Sequence, residues 1–235
     1  MKITYIHHSC FLVELEKIYL LFDYTEGAIP ELKPEKTLFV FASHRHGDHY
    51  SAVIFDLLKE HERTRYILSN DIWRKRLPEE VLPVTDSLKH GVEASYDLEA
   101  GVLKVTTYKS TDEGVAFLVE TEGKTIYHAG DLNNWTWDGE PESWNDSMAK
   151  KYTAQIDKMA GKHMDVVFLP LDPRQEEYFC LGMDEFLKKV DAAVVFPMHC
   201  WGDFSVIGKM KSMDCSKAYR DKIMEIRQDG DEFVV

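Results

Sequence analysis

The feature that most constrains this chain is a six-residue segment, 44–49, which contains three histidines and one aspartate and follows an apolar run at 38–42. Its candidate metal ligands are His44, His46, Asp48 and His49. Imidazole nitrogens and carboxylate oxygens are the usual protein ligands of zinc and similar divalent ions. In an extended segment alternate side chains lie on one side, and the tight turn that Gly47 permits brings the last histidine back to them. The segment therefore predicts a metal site at the end of a strand. The alternative interpretation is a polar turn that is rich in histidine.

Two more predicted strands end in candidate ligands. The strand at 125–129 is followed by Asp131, and the strand at 193–196 is followed by His199. Taken alone, an aspartate or a histidine at a strand end is more often a turn former or a cap. Because sites in α/β proteins lie at the carboxyl ends of strands, three such ends indicate one metal site built along a sheet edge.

Length and patterning predict one α/β domain that covers residues 1–235. The chain is 44% hydrophobic and 29% charged, which is ordinary for a globular protein. Alternating apolar side chains predict strands through the first half, and strands alternate with helices in the second half. The longest helix is expected at 141–160, and residues 81–84 are expected to be extended.

The chain is strongly acidic, with 28 Lys and Arg against 41 Asp and Glu and a net charge of −13. Such a charge repels a phosphate backbone, so we expect a small-molecule substrate and no nucleic acid partner. No segment approaches the roughly 18 consecutive apolar residues that cross a bilayer, so no membrane association is expected. The scattered cysteines and the absence of an export signal favour reduced thiols in the cytoplasm. The sequence leaves open whether the chain forms a homo-oligomer.

Three motifs together resemble those of the metallo-β-lactamase superfamily: HRHGDH at 44–49, HAGD at 128–131 and PMH at 197–199. The opening segment 5–13, with 21–23, resembles the branch of small stand-alone metal-dependent hydrolases that includes the L-ascorbate-6-phosphate lactonase-like proteins. The resemblance implies an αβ/βα four-layer sandwich of two mixed β-sheets flanked by helices. It also implies that the metals lie at one edge of the sheets.

The resemblance further implies a ligand set for one or two divalent ions of zinc, manganese or iron. By this assignment the first ion is bound by His44 and His46, the second by Asp48, His49 and His199, and Asp131 bridges the two. Asp23 matches an acidic position that supports the histidine loop by hydrogen bonds. A plain turn aspartate is an equally good interpretation of that residue.

One ligand of the family is absent from this sequence. The family has a further histidine just before the strand equivalent to 115–120, where this chain has no histidine in residues 106–111. In that register Lys109 or Ser110 occupies the place, and a protonated lysine repels a cation. Either His8 or His128 takes the place of the missing ligand. Otherwise His8 is a polar wall of the pocket and His128 is a strand residue. We therefore expect an asymmetric centre with a strong second site and a weak or vacant first one.

Aromatic side chains close to the predicted ligands indicate a substrate pocket. These side chains are Trp135, Trp137, Trp144 and Trp201. The segment 132–143 is interpreted as a lid, or its rings dock the helix at 141–160, which is the role assigned to Trp144. Arg174 either clamps a carboxylate or phosphate of the substrate or pairs with a surface acid. Lys109, if it points inward, stabilises an oxyanion or binds a phosphate.

These observations favour a metal-dependent hydrolase that acts on a small ester, lactone or phosphate ester. A metal with an open position lowers the pKa of bound water from nearly 16 towards about 7, and Asp48 then holds the attacking water and takes its proton, or serves as a ligand. A metal-binding sensor or scaffold without turnover is the first alternative, because of the missing ligand. A nuclease of the same superfamily is opposed by the charge. A di-iron oxygen or nitric oxide reductase is opposed by the absence of a flavin-binding segment.

Overall fold

The computed structural model describes residues 1–99 and 101–235. Its strands are β1 (Lys2–His7), β2 (Cys10–Glu14), β3 (Ile18–Phe22), β4 (Thr37–Ala42), β5 (Thr64–Ser69), β6 (Thr85–Leu88), β7 (Glu93–Leu98), β8 (Gly101–Lys109), β9 (Val115–Thr121), β10 (Lys124–His128), β11 (His163–Pro170), β12 (Asp191–Met198) and β13 (Glu232–Val234). Its α-helices are α1 (Leu57–Glu60), α2 (Glu142–Ile156), α3 (Leu181–Lys189) and α4 (Ser205–Ser212). Short 3-10 helices fill several connections, among them Ala52–Asp56 and Glu79–Val84.

The strands form two mixed sheets. The first has the order β13-β1-β2-β3-β4-β5-β6, and the second has the order β12-β11-β10-β9-β8-β7. In each sheet an antiparallel meander leads into parallel strands: β3 pairs in parallel with β4, and β10 pairs in parallel with β11. The histidine segment 44–49 follows the carboxyl end of β4, and the HAGD motif at 128–131 follows the carboxyl end of β10.

Alternation along the strands builds the core between the sheets. Phe22 and Phe41 face the second sheet, while their neighbours Leu21 and Val40 face an outer layer that contains the helical segment 52–60. Phe41 packs against Phe117 of the second sheet, with ring centroids 5.2 Å apart.

On the far side of the second sheet, Tyr127 stacks on Phe186 of α3, and Tyr152 of α2 donates a hydrogen bond to the carbonyl of Gly182. Helical layers thus cover the outer faces of two sheets. The expected αβ/βα four-layer sandwich is confirmed.

Two local expectations differ from the structure. Residues 81–84 were expected to be extended but lie in the 3-10 helix Glu79–Val84, and the strand begins only at Thr85. Pro83 explains the difference, because it lacks the N–H group that a strand interior requires. The helix expected at 141–160 is regular over Glu142–Ile156 and then continues as the 3-10 turn Asp157–Met159. Within the described residues, no helix is both long and apolar enough to cross a membrane.

The loop between β8 and β9 joins the two sheets at the edge that carries the histidine segment. The N–H of Val115 donates to the carbonyl of Ser43, the residue before His44. Gly114 makes this approach possible: its φ is +68°, and a Cβ there would lie 2.0 Å from the Ser43 carbonyl oxygen. The position of the histidine segment therefore depends on the absence of a side chain at residue 114.

We predict that Gly114→Ala lowers the free energy of unfolding by about 2–4 kcal/mol, because it adds a backbone clash to the cost of a left-handed alanine. Gly123→Ala is the matched control, since Gly123 also has a positive φ, +71°, but no atom of the described residues lies within 4 Å of its Cβ position. Urea denaturation of both variants measures the difference. Equal losses of stability in the two variants would contradict the proposed clash.

Candidate metal centre

The structure brings the predicted ligands together as two adjoining groups of imidazoles and carboxylates. One group consists of His8, Asp48, His49 and His199. The other consists of His44, His46, Asp112 and Asp131. Within each group the candidate ligand atoms lie within 4.8 Å of one another. The chain therefore contains His/Asp clusters that are able to hold metal ions.

In the group that contains His199, three imidazole nitrogens face one carboxylate oxygen. The Nε2 atoms of His8, His199 and His49 lie 3.5, 3.7 and 3.9 Å from Oδ2 of Asp48. The three histidine side chains are at most 7% exposed. We call these four residues the buried group.

In the other group two imidazoles face two carboxylates. Nε2 of His44 lies 3.0 Å from Nδ1 of His46, which lies 3.3 Å from Oδ2 of Asp112. The side chains of His46 and Asp112 are 43% and 42% exposed. We call these four residues, His44, His46, Asp112 and Asp131, the exposed group.

Asp131 stands between the two groups. Its Oδ2 lies 3.5 Å from Nε2 of His44. Its Oδ1 lies 3.1 Å from Nε2 of His49 and 3.5 Å from Nε2 of His199. The carboxylate thus offers one oxygen to each group, as a bridging ligand would.

Hydrogen bonds to the far side of each ring turn the Nε2 atoms towards the centre. Nδ1 of His49 donates to Asp23 (2.7 Å), and Nδ1 of His199 donates to Asp172 (3.0 Å). Nδ1 of His44 donates to the Ser43 hydroxyl, whose own proton goes to Asp23. In all three rings Nε2 then keeps its lone pair, which is the form that coordinates a metal.

Several polar atoms at the centre are buried and, among the described residues, have no hydrogen-bond partner. They include Nε2 of His8, His49 and His199 and Oδ1 of Asp131. Such atoms cost free energy unless something satisfies them. Three ring nitrogens and a carboxylate oxygen gathered at one edge of the sheets fit a cation. The residues present therefore fit the divalent ion that the sequence predicted.

The electrostatics also favour a cation. Burial disfavours a charge on His49 and His199, but Asp131 and the carboxylate behind each ring outweigh burial and raise the pKa of both imidazoles. His44 shows the opposite balance, since burial and the neighbouring His49 lower its pKa to about 4. A proton or a metal ion is therefore favoured at the imidazoles of His49 and His199, which face Oδ1 of Asp131.

The backbone at the centre is strained. His8, Asp23 and His199 have φ angles of 49°, 46° and 62°. Residues other than glycine adopt this left-handed conformation at a cost, although Asp and His tolerate it better than most. Each of these three residues contributes a candidate ligand to the two groups or supports one, so the surrounding structure stabilises the arrangement of candidate ligand atoms.

The structure bears on three alternatives that the sequence left open. Lys109 is exposed at the end of β8 and does not line the cavity that contains His46, Asp112 and Asp131, so it does not take the place of the missing histidine. Ser110 does not take it either, because its hydroxyl accepts the N–H of Asp112. His128 uses both ring nitrogens elsewhere: Nε2 donates to the carbonyl of Ser9, and Nδ1 accepts the N–H of Gly130.

Sequence reasoning missed two residues of the centre. Asp112 supplies the second carboxylate of the exposed group, in the loop where a histidine was sought. Asp172 accepts hydrogen bonds from His199, Arg174 and Trp201 with a fully buried side chain. These bonds outweigh the effect of burial and lower the pKa of Asp172 to about 2. Its place directly after β11, at the same edge as the other ligands, was the signal that could have identified it.

A cavity of about 370 Å³ opens over the centre and is lined by ligand residues and by tryptophans. Trp135 and Trp137 stack with centroids 5.9 Å apart, and Trp135 is buried, with its indole N–H bonded to the carbonyl of Asp131. Residues 132–136 are buried, so this part of the segment expected to form a lid is a fixed wall. Trp144, expected only to dock α2, also lines the cavity.

Arg174 lies at the rim of the same cavity. Its Nε and Nη2 groups donate to Asp172, and its guanidinium carbon lies 4.2 Å from the ring centroid of Trp201. Half of the side chain is exposed. The arginine is thus held in one orientation with part of its surface turned to solvent at the cavity mouth.

Residues 2–142 match the family described as the β-lactamase superfamily domain. The chain belongs to the β-lactamase superfamily. The family match covers the histidine segment and Asp131, and so includes two of the three motifs from which the sequence predicted this membership.

Two bacterial proteins named UPF0173 metal-dependent hydrolase are similar in sequence. That of Alkaliphilus metalliredigens is 26% identical over 231 residues, which cover 88% of each chain. That of Desulforamulus reducens is 30% identical over 152 residues, which cover 56% of this chain and 62% of the relative. Both relatives carry the name of the expected enzyme class, a metal-dependent hydrolase.

Among solved structures, Igni18, described as a novel metallo hydrolase from the archaeon Ignicoccus hospitalis, has a similar fold. It superimposes with a TM-score of 0.64 at 17% sequence identity, over 100% of this chain and 98% of the other. This likeness supports the four-layer fold.

We predict that Asp172→Asn weakens binding of the most tightly held zinc ion by about 10–100-fold, because it removes the negative charge behind the His199 ring. Competition with a chelator of known affinity measures the change. Asp191→Asn is the matched control: Asp191 also accepts a hydrogen bond from a histidine, His163, but at an exposed position away from the centre. An unchanged affinity in Asp172→Asn would contradict the role assigned to this carboxylate.

Proposed function

We propose that this protein hydrolyses a small ester, lactone or phosphate ester at the metal centre, in a cytoplasmic setting. The observation that carries the proposal is the convergence of buried ligand atoms without partners beside an open cavity. A structural metal site is normally closed by its protein ligands, whereas a catalytic site keeps access to a substrate. The finer likeness to lactonase-like proteins belongs to the same proposal.

The ligands of the proposed centre are the six residues predicted from the sequence. They are His44, His46, Asp48, His49, Asp131 and His199. A divalent ion held there would acidify a water molecule and polarise the carbonyl or phosphoryl oxygen of the substrate.

Asp48 is the residue best placed to position the attacking water. One of its oxygens faces the imidazoles of the buried group, and 31% of its side chain is exposed. It lines both the tryptophan cavity and a second cavity of about 850 Å³, and Trp201 lines both as well. Asp48 can therefore reach a water molecule from either cavity and accept its proton.

The tryptophans and Arg174 define the proposed substrate class. Trp135 and Trp137 present flat apolar faces, which suit a planar or apolar part of a small molecule. Arg174 is held by Asp172 and stacked on Trp201, so a carboxylate or phosphate can bind it with little loss of side-chain entropy. We therefore expect an anionic substrate with an apolar portion next to the reacting bond.

Two alternatives to a small-molecule hydrolase are a metal-binding sensor or scaffold and a nuclease, and turnover of small substrates distinguishes them from the proposed function. A sensor or scaffold would bind metal without turnover. A nuclease would need to attract a phosphate backbone, which a net charge of −13 opposes.

We predict that the metal-loaded protein hydrolyses members of a panel of aryl esters, lactones and phosphate esters, with lower KM for carboxylate-bearing members than for neutral ones. Asp48→Asn is expected to lower kcat by about 10²–10⁴-fold, the usual contribution of a proton acceptor. Metal content is measured alongside the rates, to separate loss of the ion from loss of the base. A fully loaded protein that hydrolyses no member of the panel would support the sensor alternative and contradict the proposal.

A further inference from the structure

We propose that the two groups hold chemically different ions: Asp112 completes an oxygen-rich exposed site, and His8 completes a nitrogen-rich buried site that prefers zinc. The inference rests on the metal centre of the proposed function, but it concerns which ions bind and not which substrate reacts.

Asp112 is held where a ligand is needed. Its N–H donates to the Ser110 hydroxyl. The preceding residue, Thr111, donates its hydroxyl proton to the carbonyl of Asn133 at 2.6 Å. The following residue, Glu113, accepts a hydrogen bond from Arg45. Bonds on both sides therefore anchor the loop and present the Asp112 carboxylate to Nδ1 of His46.

The exposed group thereby gains a fourth ligand that no histidine provides. Its donor atoms are two imidazole nitrogens, from His44 and His46, and two carboxylate oxygens, from Asp112 and Asp131. Carboxylate and water ligands suit ions such as Mn²⁺ more than imidazole-rich sets do. The exposure of His46 and Asp112 leaves room for water to complete the coordination of such an ion.

His8 belongs to the buried group and not to the exposed one. Its ring lies 4.4 Å from the ring of His199 and 4.6 Å from that of Trp201, measured between centroids. Its Nε2 is buried, has no hydrogen-bond partner among the described residues and points to Asp48. This arrangement gives the buried group three imidazole nitrogens, a set that suits zinc.

The supporting hydrogen bonds make the two sites unequal in strength. Carboxylates of Asp23 and Asp172 stand behind His49 and His199 in the buried group, and such partners raise the basicity of a ligand. In the exposed group His44 is supported by the neutral hydroxyl of Ser43. The buried site therefore binds its ion more tightly and fills first.

The experiment begins with protein stripped by a chelator and given one equivalent of Zn²⁺. Mn²⁺ is then titrated, and the electron paramagnetic resonance signal of the free ion reports how much manganese is bound. We expect about one Mn²⁺ to bind per chain without displacing zinc, which elemental analysis after gel filtration verifies. Displacement of the zinc by manganese, or no manganese binding, would overturn the proposal.

Variants assign the ligands. Asp112→Ala is expected to weaken Mn²⁺ binding by at least about 100-fold and to leave the zinc in place, since loss of a ligand exceeds the effect of losing its supporting partner. Asp112→His is expected to let added Zn²⁺ replace Mn²⁺ at lower concentration than in the wild type. His8→Ala is expected to weaken the zinc site alone. Lys109→Ala is the matched control, and its titration should coincide with that of the wild type.

Unchanged manganese binding in Asp112→Ala would overturn the assignment of this ligand, and circular dichroism of each variant excludes unfolding as the cause of a loss. The outcome is independent of turnover. Two equivalent zinc sites in a protein that still hydrolyses the substrate panel would refute this inference and leave the proposed function intact. Unequal sites in a protein that hydrolyses no member of the panel would support this inference and contradict the proposed function.

Discussion

The arrangement at the sheet edge depends on one constraint: several ligand atoms are buried with nothing in the described chain to satisfy them. Asp131 is central to this, because its two oxygens face imidazoles of both groups. Without a cation, the lone pairs and the carboxylate would be costly to bury. The left-handed residues His8, Asp23 and His199 lie at this edge, and each contributes a candidate ligand or supports one.

A second consequence of the fold is that metal and substrate contacts share one residue. Asp172 accepts hydrogen bonds from His199, a proposed ligand, and from Arg174, a proposed substrate contact. It also accepts one from the indole of Trp201, which lines both cavities. Asp172 therefore joins the proposed metal ligand and the proposed substrate contact by direct hydrogen bonds.

The sequence predicts those candidate ligands that lie close together along the chain or directly after a strand. The segment 44–49 carries four ligand candidates in six residues, and Asp131 and His199 follow strands whose apolar runs are unmistakable. Individual strands and helices were predictable for the same reason, whereas their arrangement into two sheets flanked by helices was implied by the resemblance to the metallo-β-lactamase superfamily. These features depend on alternation and on strand ends, both of which are properties of short stretches of chain.

What the sequence did not predict depends on contacts between distant segments. Asp112 is one acid among many until the loop after β8 is placed against His46. The place of the missing histidine was sought at Lys109 or Ser110, but β8 continues through Lys109 and leaves it exposed, and the candidate carboxylate, Asp112, comes three residues later. His128 looked like a ligand candidate, but Ser9 and Gly130 take both of its nitrogens.

The most direct test of the account is anomalous diffraction from crystals grown with zinc and manganese, with data collected on both sides of each absorption edge. We predict a zinc peak among Nε2 of His49, Nε2 of His199 and the Asp131 carboxylate, with a manganese peak beside Asp112 on the other side of Asp131. The absence of any peak beside Asp131 would contradict it.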